Sequence, residues 1–138
     1  MSTLARVSLS IEQPLLDKLE RLVKRSGYSN RSEYVRDMIR DRLVEAEWGD
    51  DHDVVGTVTL IYDHHAHGLS DRLTHLQHHH HNEVLAATHV HLDEHLCAEM
   101  ILLRGRAKHL RALADQIRQQ KGVLHAELSM SSTGKQLA

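Results

Sequence analysis

Thr88-His89-Val90-His91-Leu92 alternates polar and apolar side chains, and Cys97, the single cysteine of the chain, follows shortly after. Strict alternation reads as a strand, with His89 and His91 on one face and Thr88, Val90 and Leu92 on the other. Two imidazoles on one face stand about 7 Å apart along a strand, close enough to meet one metal ion. Asp93-Glu94 signals a turn, from which Cys97 can return to the same point on the next strand. Upstream, His78, His79, His80 and His81 form an unbroken run, and the helix carrying them can supply a fourth ligand. Each signal is weak by itself. An internal four-histidine run is no purification tag but is commonly a solvated helix end, and a lone cysteine is commonly a small buried hydrophobe. Their conjunction is uncommon and points to a metal site. Imidazoles with one thiolate form a borderline-soft set suited to Zn(II), Ni(II), Cu(II) or Co(II), not to Mg or Ca. Spacing does not choose among the four.

Working outward, the pattern predicts strands at about 54–62, 84–92, 96–103 and 123–130, and helices at about 69–81 and 107–120. Val58, Leu60 and Tyr62 share a strand face. Leu69, Leu73 and Leu76 share a helix side, as do Leu110, Leu113, Ala114 and Ile117. Arg104-Gly105 and Gly122 read as breaks, and 131–138 as a tail. The order β-α-β-β-α-β is ferredoxin-like, with two helices on one face of an antiparallel sheet. The other face has no cover within the chain. His89, His91 and Cys97 are expected on or near that open side, where a partner subunit would dock.

Before this domain, Trp48-Gly49-Asp50-Asp51-His52 reads as a linker. Residues 1–4 read as a frayed end. Arg6-Val7-Ser8-Leu9-Ser10-Ile11 alternates, with Val7, Leu9 and Ile11 facing a core. Pro14 opens a helix with Leu15, Leu19, Leu22 and Val23 on one stripe, and Gly27 stops it. Asn30 and Glu33 form a capping-box pattern, so a second helix starts near Arg31, with Val35, Met38, Ile39 and Leu43 as its apolar face. One short strand cannot stand alone, so a second copy must pair with it antiparallel. That arrangement is a ribbon-helix-helix dimer. Arg6, Ser8 and Ser10 would then face a DNA major groove, and Ser29, Asn30, Arg31 and Ser32 would hold a phosphate at a helix start.

Composition sets bounds. The chain has 138 residues, 41% of them apolar, with few aromatics (Trp48, Tyr28, Tyr34, Tyr62) and no Phe. Such small cores favour oligomerisation. One cysteine excludes an intrachain disulfide and fits a reducing cytoplasm. No apolar run approaches the roughly 18 residues of a membrane span, and no signal peptide opens the sequence. A net charge of −2 argues against a globally basic nucleic-acid binder. The fourteen histidines make the charge sensitive to pH around 6 to 7. No nucleophile–base set or phosphate-binding glycine motif is present, so the chain is not read as an enzyme.

Arg6-x-Ser8-x-Ser10, Gly27-Tyr28-Ser29-Asn30-Arg31-Ser32-Glu33, Gln77 to His81, His89-Val90-His91 and Cys97-x-Glu99 together closely resemble the NikR family of nickel-responsive transcriptional regulators. The resemblance runs from about Leu4 to Met130. It implies an α+β chain: a ribbon-helix-helix DNA-binding domain (1–48), then an ACT-like metal-binding and tetramerisation domain (53–131). It implies a cytoplasmic homotetramer, a dimer of dimers on palindromic operator DNA, repressing nickel uptake genes. It implies one Ni(II) per subunit in a square plane of His89, His91, Cys97 and a neighbour's His78, with Glu99 in the surrounding hydrogen-bond network. Arg6, Ser8 and Ser10 would read the operator, and Glu33 and Asp37 match carboxylates that help hold K+ between domains. Ser8 and Ser10 stand where relatives commonly carry Thr. The turn His64-His65-Ala66-His67 lacks a basic pair that supports DNA docking in some members. The remaining histidines are read as solvated. Rival readings are a metal buffering or storage protein, which leaves the Arg6/Ser8/Ser10 face without a purpose, and a zinc- or copper-responsive regulator of the same architecture. An amino-acid-binding ACT regulator of an enzyme conflicts with the His/Cys site.

Overall fold

The computed structural model describes residues 3–138, so the frayed-end reading lies partly outside the described residues, at Met1 and Ser2. The elements are α1 (Gln13–Arg25), α2 (Arg31–Gly49), β1 (Asp53–Asp63), α3 (Leu69–His79), β2 (Val84–His91), β3 (Leu96–Arg106), α4 (Ala107–Arg118) and β4 (Val123–Met130). They fall into two compact units, one reaching to Leu43 and taking in Gln136–Ala138, the other Val44–Lys135.

In the first unit, Pro14 sits in the first turn of α1, where its missing N–H costs no helical bond. The helix ends as Gly27 predicts. Gly27 adopts φ +76°, its N–H donates to the Lys24 carbonyl, and the Tyr28 N–H reaches back to Val23. Only a residue without Cβ takes that left-handed turn at no steric cost. Asn30 caps α2, its Oδ1 accepting the Glu33 N–H at 2.9 Å. The Glu33 carboxylate does not close the box on the Asn30 backbone; it accepts from the Ser29 hydroxyl at 3.1 Å. Arg31 pairs with Glu20 across the two helices at 2.7 Å. Residues 3–12 form no strand ladder in a single chain. Val7 and Leu9 remain 78% and 75% exposed, and Leu15, Leu22, Met38 and Ile39 are also open to solvent. A helix pair this short cannot enclose a core by itself.

The second unit is a four-stranded antiparallel sheet in the order β2-β3-β1-β4. This is the βαββαβ, ACT-like arrangement. Val54, Val58, Leu60 and Tyr62 alternate onto the covered face of β1, where Leu69, Leu73, Leu110, Leu113 and Ile117 from the helices bury them. Two boundaries differ from the sequence reading. Trp48 is no linker residue: it lies in the last turn of α2 and is 2% exposed within this core. Burying an indole outweighs the local Gly49-Asp50 turn signal. Arg104-Gly105 does not break the chain either, since β3 runs through to Arg106 in register with Asp53 of β1.

Candidate metal centre and nucleic-acid face

The β2–β3 hairpin sets His91 directly across from Cys97 and His89 across from Glu99. Its tip is fixed by Asp93, whose Oδ1 accepts the backbone N–H groups of His95 and Leu96, each at 2.8 Å. Those two donors hold the Asp93 carboxyl below the usual carboxylate range. The support they give is therefore present above the ordinary Asp pKa and lost as pH falls through the lowered one. Asp93→Ala should loosen the tip and weaken metal affinity by about 10- to 100-fold, the range seen when a group supporting ligands is removed. Competition with a chromophoric chelator measures it; unchanged affinity would show the register needs no Asp93.

Cross-strand partners share a sheet face. His89 and His91 therefore lie on the side of Cys97, Glu99, Ile101 and Leu103, beneath the helices, and not on the open side as the sequence reading expected. The two histidines are exposed all the same, because β2 is the sheet edge and α4 packs on β4, β3 and β1. The open side instead carries Val90, Met100 and Leu102, at 49%, 53% and 36% exposure.

Cys97 Sγ lies 3.3 Å from His91 Nδ1. Among the described residues, one group of donors converges: His64, His91 and Cys97, whose ligand atoms all fall within 4.8 Å of one another. His89 stands next to it, its ring 4.9 Å from that of His91 and edge-on to Tyr62 at 6.3 Å, but its nitrogens are outside that group. His78 is exposed in the last turn of α3 and does not join the group within its own chain. His80 is the C-cap of α3 and His81 lies beyond it.

The group includes His64, which reads in sequence as part of a solvated turn. Its signal was there: the inward alternation of Val58, Leu60 and Tyr62 continues to residue 64. The His64 N–H extends the β1–β3 ladder by bonding the His95 carbonyl at 2.9 Å. Tyr62 lies on the covered face of β1, as its alternation predicts, and its ring also walls the site beside His89.

Burial pushes the Cys97 thiol above its usual pKa, and the carboxylates of Asp63, Glu99 and Asp93 push the same way. Burial also raises Glu99, partly offset by a hydrogen bond from Gln77 Nε2 at 3.0 Å and by His89. Glu99 thus stands between the helix that carries His78 and the strand that carries His89. Tyr62 is pushed up to about 12, mainly by burial and then by Glu99 and Cys97. A soft thiol among imidazoles fits a borderline-soft divalent ion. A buried, unpartnered Nδ1 on His64 fits it too, since a polar atom shut from water and unbonded is costly.

In the first unit, Arg6, Ser8 and Ser10 are exposed, as are Asn30, Arg31 and Ser32. Glu33 and Asp37 do not converge with a third ligand among the described residues. Glu33 is held by Ser29, while Asp37 accepts from the Tyr28 hydroxyl and from Arg40 at 2.9 Å. Tyr28 and then Arg40 lower the Asp37 pKa.

A ribbon-helix-helix region followed by an ACT-like domain with a His/Cys cluster defines the class of metal-responsive regulators. The profile of the NikR C terminal nickel binding domain matches residues 55–131, and that of ribbon-helix-helix proteins of the copG family matches residues 5–46. The chain belongs to the NikR family of nickel-responsive regulators, not to a family of enzymes. A Geobacter metallireducens protein named "Putative nickel-responsive regulator" is 49% identical over 99% of both chains, and a Geobacter sulfurreducens protein of the same name is 47% identical over the same share. An uncharacterized protein of Thermotoga maritima shares the fold over 57% of this chain and 98% of its own, with a TM-score of 0.52 at 14% identity. No helix among the described residues is long and apolar enough to cross a membrane.

Proposed function

We propose that this chain is a cytoplasmic, nickel-dependent DNA-binding repressor of nickel uptake genes. The observation that carries the reading is the His89/His91/Cys97 hairpin in a chain of full-length NikR kinship. His89, His91 and Cys97 with a neighbour's His78 would hold one Ni(II) per subunit, and the ion would supply a crosslink between subunits. Glu99 keeps Gln77, and so the end of α3, tied to the sheet. Two copies of residues 6–11 would pair as the ribbon, which accounts for the exposed Val7, Leu9 and Ile11. A homotetramer, a dimer of such dimers, then presents two ribbons to a palindromic operator. Glu33 and Asp37 are proposed to help hold K+ between the domains in that assembly.

The two sites lie in different units, so coupling must act through the equilibrium between arrangements of the oligomer. A coupling of about 1 to 3 kcal/mol raises operator affinity roughly 5- to 150-fold, and DNA raises nickel affinity by the same factor. DNA binding titrated with and without stoichiometric Ni(II), with Zn(II) as control, tests the reading. Operator affinity indifferent to Ni(II) sinks it. An equal response to Zn(II) would favour the zinc-responsive rival.

Arg6 is expected to carry base recognition. Arg6→Ala should cost on the order of 1 to 3 kcal/mol at the operator, with nickel affinity unchanged. Equal loss on operator and random DNA would make Arg6 a phosphate clamp instead.

A further inference from the structure

We propose that Arg72 is a positioning residue for metal capture: it fastens the start of α3 to the turn between α4 and β4, and so sets where His78, at the far end of that helix, stands. The inference deepens the reading of His78 as a ligand presented to a neighbour, and rests on it.

Helix α3 opens without a side-chain cap. Its N-cap is Gly68, at φ +70°, which has no side chain to accept the free N–H groups of the first turn. Anchorage comes instead from Arg72, one turn in. Its Nη1 donates to the His67 carbonyl at 2.9 Å, its Nη2 to the Lys121 carbonyl at 2.6 Å and its Nε to Gln120 Oε1 at 3.3 Å. Gln120 is itself tied down, its Nε2 donating to the Gln116 carbonyl in α4 at 3.2 Å. A guanidinium is a rigid planar fork with donors along several fixed directions, which three acceptors on two separate segments require. Packing beside the clamp is equally close. Gly122 has φ +103°, and a Cβ there would stand 2.8 Å from Ala66 Cβ and 3.0 Å from Leu69 Cδ2. The α4–β4 turn thus touches the loop leading into α3 with no room for a side chain.

The far end of α3 is held more lightly. Leu69 and Leu73 are buried, but Leu76 is only half-buried, and His75, His78 and His79 are exposed. Gln77 Nε2 makes the polar tie to the sheet there, at 3.0 Å from Glu99. Leverage makes the start decisive. His78 lies six residues beyond Arg72, about 9 Å along a helix rising about 1.5 Å per residue. A tilt of about 20° at the start would carry residue 78 sideways by about 3 Å. Metal–nitrogen bonds tolerate only about 0.2 Å.

The test uses the full chain and two readings. The first needs no metal. Amide hydrogen exchange of the apo protein should show α3 losing protection by about tenfold or more in Arg72→Ala, while β1 and β3 keep theirs. Arg72→Lys, which keeps the charge but not the fork, should behave like Arg72→Ala. Undiminished protection of α3 in Arg72→Ala, or its restoration by lysine, overturns the clamp. A loss shared equally by the sheet overturns it too, since Arg72 would then serve general stability. The second reading is a double-mutant cycle on Ni(II) affinity, measured by competition with a chelator. Arg72→Ala alone should weaken Ni(II) by about 10- to 100-fold, the range for groups that support a ligand. In His78→Ala protein the same change should alter affinity by less than about twofold, because no His78 remains to be positioned. An equal loss in both backgrounds, or none in either, overturns the proposal. Should His78→Ala alone leave nickel affinity untouched, the ligand reading fails, and exchange in the apo protein still judges the clamp.

Discussion

Cys97→Ala protein is expected to lose nickel binding by well over 100-fold and to lose the near-UV thiolate-to-nickel absorption entirely. Removing a group that only supports a ligand costs about 10- to 100-fold, and Cys97 is proposed as a ligand itself. It is also the sole thiol, so no neighbour can replace it. The side chain is fully buried, opposite His91 in the hairpin, and alanine there leaves the strand intact. Because burial and three carboxylates raise its pKa, the metal-free thiol is protonated throughout the neutral range. Binding must therefore release that proton. Affinity then rises about tenfold per pH unit for each proton released. Calorimetry in two buffers of different ionisation enthalpy counts the proton in wild-type protein. An unchanged spectrum in Cys97→Ala would remove Cys97 from the site.

Trp48→Ala is expected to destabilise the ACT-like unit by about 3 to 5 kcal/mol, the usual cost of deleting a buried large aromatic. Trp48 is 2% exposed, its indole N–H donates to the Ser131 carbonyl at 2.8 Å, and the Arg111 guanidinium lies 5.5 Å from its ring. Its six-membered ring fills the space left by Gly56, where an added Cβ would sit 3.0 Å from Trp48 Cη2 and 3.1 Å from the Ser129 carbonyl. The truncation thus opens a cavity against β1 and orphans a carbonyl near the end of β4. Urea unfolding of the metal-free protein, followed by circular dichroism, measures the loss. A change below about 1 kcal/mol would show that the indole is peripheral to folding.

Local chemistry alone determined much of this protein. Alternation of period two gave the strands of the ACT-like unit, apolar spacing of three to four gave its helices, and Gly27 and Asn30 marked helix ends because their backbone demands are met by neighbours in sequence. The ligand types were equally legible: one thiol and a His-x-His pair state a preference for a borderline-soft ion wherever they lie. Tertiary structure decided what depends on partners distant in sequence. The sheet face of His89 and His91 follows from the pairing of β2 with β3, and a strand's own alternation cannot say which side the helices cover. Trp48 reads as linker beside Gly49 and Asp50, and only Gly56 and Ser131 reveal it as core. His64 lies 27 residues before His91, within a turn that reads as solvated, until the ladder from β1 carries it to Cys97. Convergence of that kind is set by strand register, a long-range property that no window of the sequence contains.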